Sequence, residues 1–303
     1  MPALVTVADT PYIGRFAPSP TGPLHFGSLV AALASWLDAR AARGSWRLRI
    51  EDLDKPREPP GAADIILRQL EALGLHWDGN VLYQSTRIES YEAALERLAA
   101  RGATYPCGCT RGEIADSALA IDGARIYPGT CRSGLPRGKT ERATRVRTSG
   151  EPIRFVDRVQ GEFVQSLERE VGDFVLRRAD GPIAYQLAVV VDDAEQGITD
   201  VVRGADLLDS TARQIWLQRL LAYPTPRYLH VPVAVNAAGE KLSKQSAARP
   251  VELDSVASTL ARALDFLGQS APSGLASREL LQWAVANWDV ARIPGLRALP
   301  VRD

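Results

Sequence analysis

Tyr12 to Leu29 reads YIGRFAPSPTGPLHFGSL. The apolar run Tyr12–Phe16 can end a strand. Pro18, Ser19, Pro20, Thr21, Gly22 and Pro23 then forbid regular structure. His25 and Gly27 open a run in which Leu29, Leu33, Trp36 and Leu37 recur at helical spacing. A strand, a rigid turn and a helix N-terminus together make an anion site, because the free backbone N–H groups and the positive end of the helix dipole face whatever sits there. His25 lies at that mouth and can donate to a phosphate oxygen. Taken alone, the same pattern also describes an ordinary strand-to-helix turn with a surface histidine.

Downstream, Trp46–Ile50 reads as a second strand, with Arg47 and Arg49 alternating with apolar residues. Glu51, Asp52 and Asp54 follow at its carboxyl end, where open α/β sheets bind ligands. Such acids suit a substrate ammonium or Mg²⁺, although Asp54 reads better as a solvated turn. Helices are expected over 62–73 and 87–100, and His76 beside Trp77 reads as a packed or surface histidine. Residues 197–204, GITDVVRG, form an expected buried strand ending at Arg203. An arginine there can reach a ligand carboxylate with a two-pronged hydrogen bond. Tyr185 can line a pocket, but the residues alone favour the core. A helix over 209–221, a strand over 228–233 and helices near 253–267 and 277–286 complete the pattern. His230 is assigned no chemistry.

The chain has three cysteines: Cys107, Cys109 and Cys131. Cys107-Gly108-Cys109 places two thiols on one turn, and Cys131 follows Gly129 on another. Two such turns are how a structural Zn²⁺ site is built. From spacing alone the fourth ligand stays open among Tyr127, Asp122, a histidine and water.

The 303 residues are 46% hydrophobic and 24% charged, a globular composition able to bury a full core. No stretch approaches the roughly 20 apolar residues of a membrane span, and MPALVTVADT lacks the basic start of a signal peptide. A cytoplasmic monomer without membrane contact is expected. Net charge is zero, unlike most dedicated nucleic-acid modules. Even so, Arg125 to Arg158 is rich in Arg and Lys, with only Glu141, Glu151 and Asp157 as acids.

Far downstream, Lys241-Leu242-Ser243-Lys244-Gln245 sets two lysines around a serine, which suits a mobile clamp on a triphosphate. With His25-Phe26-Gly27-Ser28, it resembles the HIGH and KMSKS signatures of class I aminoacyl-tRNA synthetases. Arg15 before PSPTGPLH, and Arg49-Ile50-Glu51-Asp52, are similar to the glutamate branch and in particular to its shortened paralogues. The resemblance runs from about Tyr12 to Lys244. Ser28 replaces the last histidine of the first signature, and Gln245 ends the second, which puts the usual ATP contacts there in question.

The resemblance implies an α/β, Rossmann-like catalytic domain in two halves, 1–106 and 177–248. Between them, 107–176 would be an inserted zinc-bearing subdomain that approaches tRNA. Residues 249–303 would be a short helical end without an anticodon-binding domain. The zinc ligands would be Cys107, Cys109, Tyr127 and Cys131, one structural ion per chain. L-Glutamate would be bound by Arg15, Phe16, Ala17, Pro18, Ser19, Glu51, Tyr185 and Arg203. ATP, with Mg²⁺, would meet His25, Gly27, Ser28, Lys241, Ser243 and Lys244, with His25 and Lys244 as the catalytic pair. The implied reaction is tRNA-independent activation of glutamate, followed by transfer to queuosine in the anticodon of tRNA(Asp). Two other readings stay open: a truncated enzyme charging the tRNA 3′ end, and an inactive RNA-binding or regulatory protein derived from a synthetase.

Overall fold

The computed structural model describes residues 11–115, 117–120, 123, 125–236, 238–242 and 249–301. In chain order the first half holds β1 (Ile13–Phe16), α1 (Phe26–Ala41), β2 (Ser45–Ile50), α2 (Ala62–Ala72), β3 (Leu82–Tyr83) and α3 (Ile88–Ala100). The middle holds β4 (Thr104–Cys107), β5 (Ala143–Val146), β6 (Ile153–Asp157), β7 (Gly161–Gln165), α4 (Leu167–Glu170) and β8 (Val175–Arg177). Then follow α5 (Tyr185–Glu195), β9 (Asp200–Gly204), α6 (Thr211–Leu221), β10 (Arg227–Val231), β11 (Val233–Val235), α7 (Val256–Phe266), α8 (Ser277–Asn287) and β12 (Ala298–Pro300).

Strands β1, β2 and β3 pair in parallel, and so do β9 and β10. The two sets abut where the Thr199 N–H donates to the Ile13 carbonyl at 2.9 Å and the Ile13 N–H donates to the Thr199 hydroxyl at 2.9 Å. Passing outward from β1, the chain runs to β2 and β3 on one side and to β9 and β10 on the other. That reversal is the topological switch point at which open α/β sheets bind ligands. The carboxyl ends of β1 and β9, bearing Arg15 and Arg203, meet there.

Helix α1 is buried along most of its length because it lies between the sheet and α7 and α8, and its leucines join theirs in one core. Helices α3, α5 and α6 form a second core. The expected helices appear close to their sequence-read limits. The expected strand over 228–233 divides at Pro232, which has no N–H to continue the ladder. Beyond it, β11 pairs with β12 instead.

The middle of the chain parts into two. Strands β4, β5 and β8 form a small antiparallel sheet. Strands β6 and β7 form a hairpin, and β6 pairs in parallel with β10 at Tyr228 and Asp157. The hairpin therefore extends the sheet that carries Arg203. Among the described residues, no helix is long and apolar enough to cross a membrane.

Candidate functional site

A cleft of about 620 Å³ opens at the switch point. Its walls gather residues far apart in sequence: Arg15 to Ser19 at and beyond the carboxyl end of β1, His25, Gly27 and Ser28 at the start of α1, Glu51 after β2, Tyr185, Arg203 and Lys241. These are the sequence-read positions for glutamate and ATP. Ser243 and Lys244, with Gln245, lie outside the described residues, as does Asp122.

His25 is the N-cap of α1. Its Nδ1 accepts from the Ser28 N–H at 3.3 Å, and the Ser28 hydroxyl accepts from the His25 N–H at 2.8 Å. Because Nδ1 is the acceptor, the ring proton belongs on Nε2. Ser28, the departure from the first signature, thus closes a capping box. Gly27 keeps this entrance clear: a Cβ there would lie 3.3 Å from the His25 ring and 3.5 Å from the Leu242 carbonyl. Lys241 reaches Asp206 at 2.6 Å, so the first lysine of the second signature is tied to the turn that follows β9.

The opposite end of the cleft rests on buried charge. Arg49, wholly buried, donates to Asp193 at 2.8 Å and to Gln196 at 2.8 Å, and lies 3.4 Å from Glu51. Arg15 places Nε 3.2 Å from the same Asp193. Burial opposes ionisation of Asp193, but Arg15 and Arg49 hold its carboxyl below the usual carboxylate range. Burial pushes the Glu51 carboxyl up, against the pull of Arg49 and Arg15. Burial likewise raises the Tyr185 phenol.

Arg203 has a different setting. Its Nε donates to His230 Nε2 at 2.9 Å, and its Nη2 donates to the Thr211 hydroxyl at 3.0 Å and the Leu207 carbonyl at 3.3 Å. Among the described residues, its Nη1 is buried with no hydrogen-bond partner. Buried donors are rarely left so, and this one belongs to a residue lining the cleft. From sequence, Arg49, Asp193, Asp206 and His230 receive no role at the site. Asp193 carried the one usable signal, a pair of acids closing an apolar helix.

A second cluster lies on the small sheet. The sulfurs of Cys107, Cys109 and Cys131 lie within 4.8 Å of one another. Tyr127 adds its hydroxyl 3.4 Å from Cys107 Sγ and 3.5 Å from Cys109 Sγ, and accepts the Cys131 N–H at 2.8 Å. Gly172 makes this possible, since a Cβ there would meet the Tyr127 backbone nitrogen at 2.8 Å. Arg145 stacks 3.8 Å from the Tyr127 ring and donates to Cys107 Sγ at 3.3 Å, a cation suited to offset thiolate charge. Three clustered cysteines of this kind can bind a metal such as zinc.

Comparison with known proteins agrees with this architecture. The family described as tRNA synthetases class I (E and Q), catalytic domain, matches residues 13–268. The chain belongs to that family and is a ligase. It is 59% identical over 294 residues to a protein named Glutamyl-Q tRNA(Asp) synthetase from Aromatoleum aromaticum, covering 96% of this chain and 93% of that one. It is 60% identical over 291 residues to the Dechloromonas aromatica protein of the same name, covering 94% and 97%. Among solved structures, a glutamate-tRNA synthetase from Elizabethkingia anophelis superposes with a TM-score of 0.79 at 23% identity, covering 95% of this chain and 68% of that one. That likeness is one of fold.

Proposed function

We propose that the chain activates L-glutamate with ATP, without needing tRNA, and transfers the glutamyl group to queuosine in the anticodon of tRNA(Asp). The observation that carries the amino-acid assignment is the buried, unpartnered Nη1 of Arg203 at the cleft wall. A substrate side-chain carboxylate would supply its missing acceptor. A neutral competitor would leave a buried cation unsatisfied, which favours steep discrimination. Glu51 meets the substrate ammonium, Tyr185 closes the pocket, and Arg15 to Ser19 form its floor.

In the first step the α-carboxylate oxygen bonds to the α-phosphorus of ATP as the bond to the bridging oxygen breaks and pyrophosphate leaves. The nucleophile is already anionic, so no general base is needed. The task is positioning and charge neutralisation. His25, whose tautomer puts the ring proton on Nε2, and the start of α1 would bind phosphate at Gly27 and Ser28. Lys241, Ser243 and Lys244 would stabilise the departing pyrophosphate, with Mg²⁺ accompanying ATP. In the second step an acceptor hydroxyl attacks the adenylate carbonyl, loses its proton and releases AMP.

The names of the relatives, at about 60% identity over nearly the whole chain, support queuosine over the tRNA 3′ end as acceptor. Cys107, Cys109, Tyr127 and Cys131 would hold one structural Zn²⁺, tying the end of β4 to the 127–131 turn. The divisions 1–106, 107–176, 177–248 and 249–303 are proposed as functional units, with β6 and β7 shared between the second unit and the main sheet.

The test supplies labelled glutamate, ATP, Mg²⁺ and bulk tRNA from a queuosine-making host, then digests the RNA to nucleosides. Label on an internal modified guanosine is the expected result. Label on the terminal adenosine would instead make the protein a charging enzyme, and no glutamate-dependent ATP turnover at all would end the activation reading.

A further inference from the structure

Among the described residues, the partners of Arg203 carry no negative charge: an imidazole nitrogen, a hydroxyl, a carbonyl and, 5.7 Å away, the face of Tyr228. Arg15, by contrast, is paired with Asp193. Of the two arginines at the switch point, only Arg203 keeps an uncompensated charge for a substrate carboxylate. Something must then fix its guanidinium without cancelling that charge.

His230 does so. It lies opposite Arg203 in the β9–β10 register and is wholly buried. The arginine Nε–H can only donate, so His230 Nε2 accepts and the ring proton sits on Nδ1. Nδ1 lies 2.6 Å from Asp157 Oδ2. The other oxygen of Asp157 accepts from the backbone N–H groups of Gln160 at 2.8 Å, Val159 at 3.0 Å and His230 at 3.1 Å. Every hydrogen-bonding partner of the carboxylate is therefore a donor. The backbone fixes Asp157, Asp157 fixes the imidazole tautomer, and the tautomer fixes Arg203.

We infer that His230 and Asp157 are positioning residues for amino-acid recognition, holding Arg203 so that its Nη1 meets the substrate carboxylate. The inference deepens the activation reading above and rests on it. It also gives β6 a role at the glutamate site, reached through one chain of hydrogen bonds. A carboxylate in place of His230 could fix Arg203 as firmly but would neutralise it, as Asp193 does for Arg15.

The test is glutamate-dependent ATP–pyrophosphate exchange on the full chain, with thermal melts of each variant. Removal of an interaction made equally in ground and transition states raises KM and spares kcat, so His230→Ala should raise the KM for glutamate about tenfold or more, with kcat and the KM for ATP within about threefold. His230→Gln keeps an acceptor toward Arg203 and should return the glutamate KM to within about threefold of the parent. Asp157→Asn should again raise it about tenfold, since either orientation of the amide turns an N–H toward a donor.

A folded His230→Ala variant with the parent's glutamate KM would overturn the inference. So would equal losses for glutamate and ATP in His230→Ala and His230→Gln alike, the mark of a residue that only packs. If His230→Ala does not fold, Asp157→Asn decides: a raised glutamate KM supports the assignment and an unchanged one defeats it. Failure of the underlying reading looks different, because the parent itself would then show no glutamate-dependent exchange, and the inference would fall with it.

Discussion

Ser28 and His25 cap each other at the start of α1: the serine hydroxyl accepts the His25 backbone N–H at 2.8 Å, and the His25 ring accepts the Ser28 N–H at 3.3 Å. The serine that departs from the family's first signature thereby braces the helix start through its hydroxyl, while the backbone N–H of the same residue sets the tautomer of His25. A helix N-terminus leaves its first N–H groups without partners, and a reciprocal cap satisfies two of them.

Ser28→Ala should therefore act on both fold and ligand. Loss of the serine half of the cap should lower unfolding free energy by about 1 kcal/mol, seen as a reduced urea midpoint at unchanged m-value. The ring of His25 would keep its N–H partner but lose the brace on its backbone, so the KM for ATP should rise while the KM for glutamate stays near the parent's. An unchanged urea midpoint would show that the cap contributes nothing.

Asp193 is shared by two buried arginines, Arg15 and Arg49. Asp193→Asn would leave both with a weaker, neutral partner. Removing one member of a buried ion pair costs about 3–5 kcal/mol, and a loss in that range is expected in urea unfolding. A loss below about 1 kcal/mol would mean that Gln196 and Glu51 suffice to hold Arg49. Glutamate-dependent exchange should fall as well, because Arg15 and Glu51 would both shift.

Much of this was readable in advance, for a definite reason. Leu29, Leu33 and Leu37 repeat at helical spacing, and the prolines at 18, 20 and 23 can only be a turn, so β1, the turn and α1 follow from local chemistry. Arg49 shows where local reading stops. Alternation with Trp46, Leu48 and Ile50 suggests a polar face, yet Arg49 is wholly buried, because Asp193 on α5 is there to receive it. His230 gave no sign of a role, since its partners come from β6 and β9. The pairing of Tyr228 with Asp157 likewise joins distant segments, and no periodicity records it.

Acid should weaken the fold in a way that His230→Gln removes. Burial pushes His230 down to about 4, against the pull of Asp157 and with Arg203 adding to it. The unfolded chain takes up a proton on histidine near pH 6.5, roughly, while the folded chain does not. The unfolded state therefore binds more protons in this window, and stability present above about pH 6.5 is lost as pH falls toward 4. Between about pH 7.5 and about pH 4.5, the parent should lose on the order of 2 to 3 kcal/mol more than His230→Gln. Asp157, held below its usual range, stays ionised across this interval. Urea midpoints that fall in parallel for the two proteins would place the histidine outside this linkage.

Metal removal separates Tyr127 from the cysteines. Its hydroxyl lies 3.4 Å and 3.5 Å from two sulfurs and accepts the Cys131 N–H at 2.8 Å. Burial and the neighbouring thiols push the phenol up, so a metal ion must work against that environment to take it as a fourth ligand, whereas the sulfurs already converge. The parent should carry about one zinc per chain by elemental analysis, and the Cys107→Ser, Cys109→Ser double variant close to none. Tyr127→Phe should keep the metal as purified but release it to a chelator about ten times faster or more, since three thiolates remain without their fourth partner. The thermal midpoint should fall with zinc content in the same order, because binding free energy at such a site is also folding free energy. A parent that is folded, fully active and free of metal would remove the zinc assignment, and release from Tyr127→Phe at the parent's rate would leave a water as the fourth ligand.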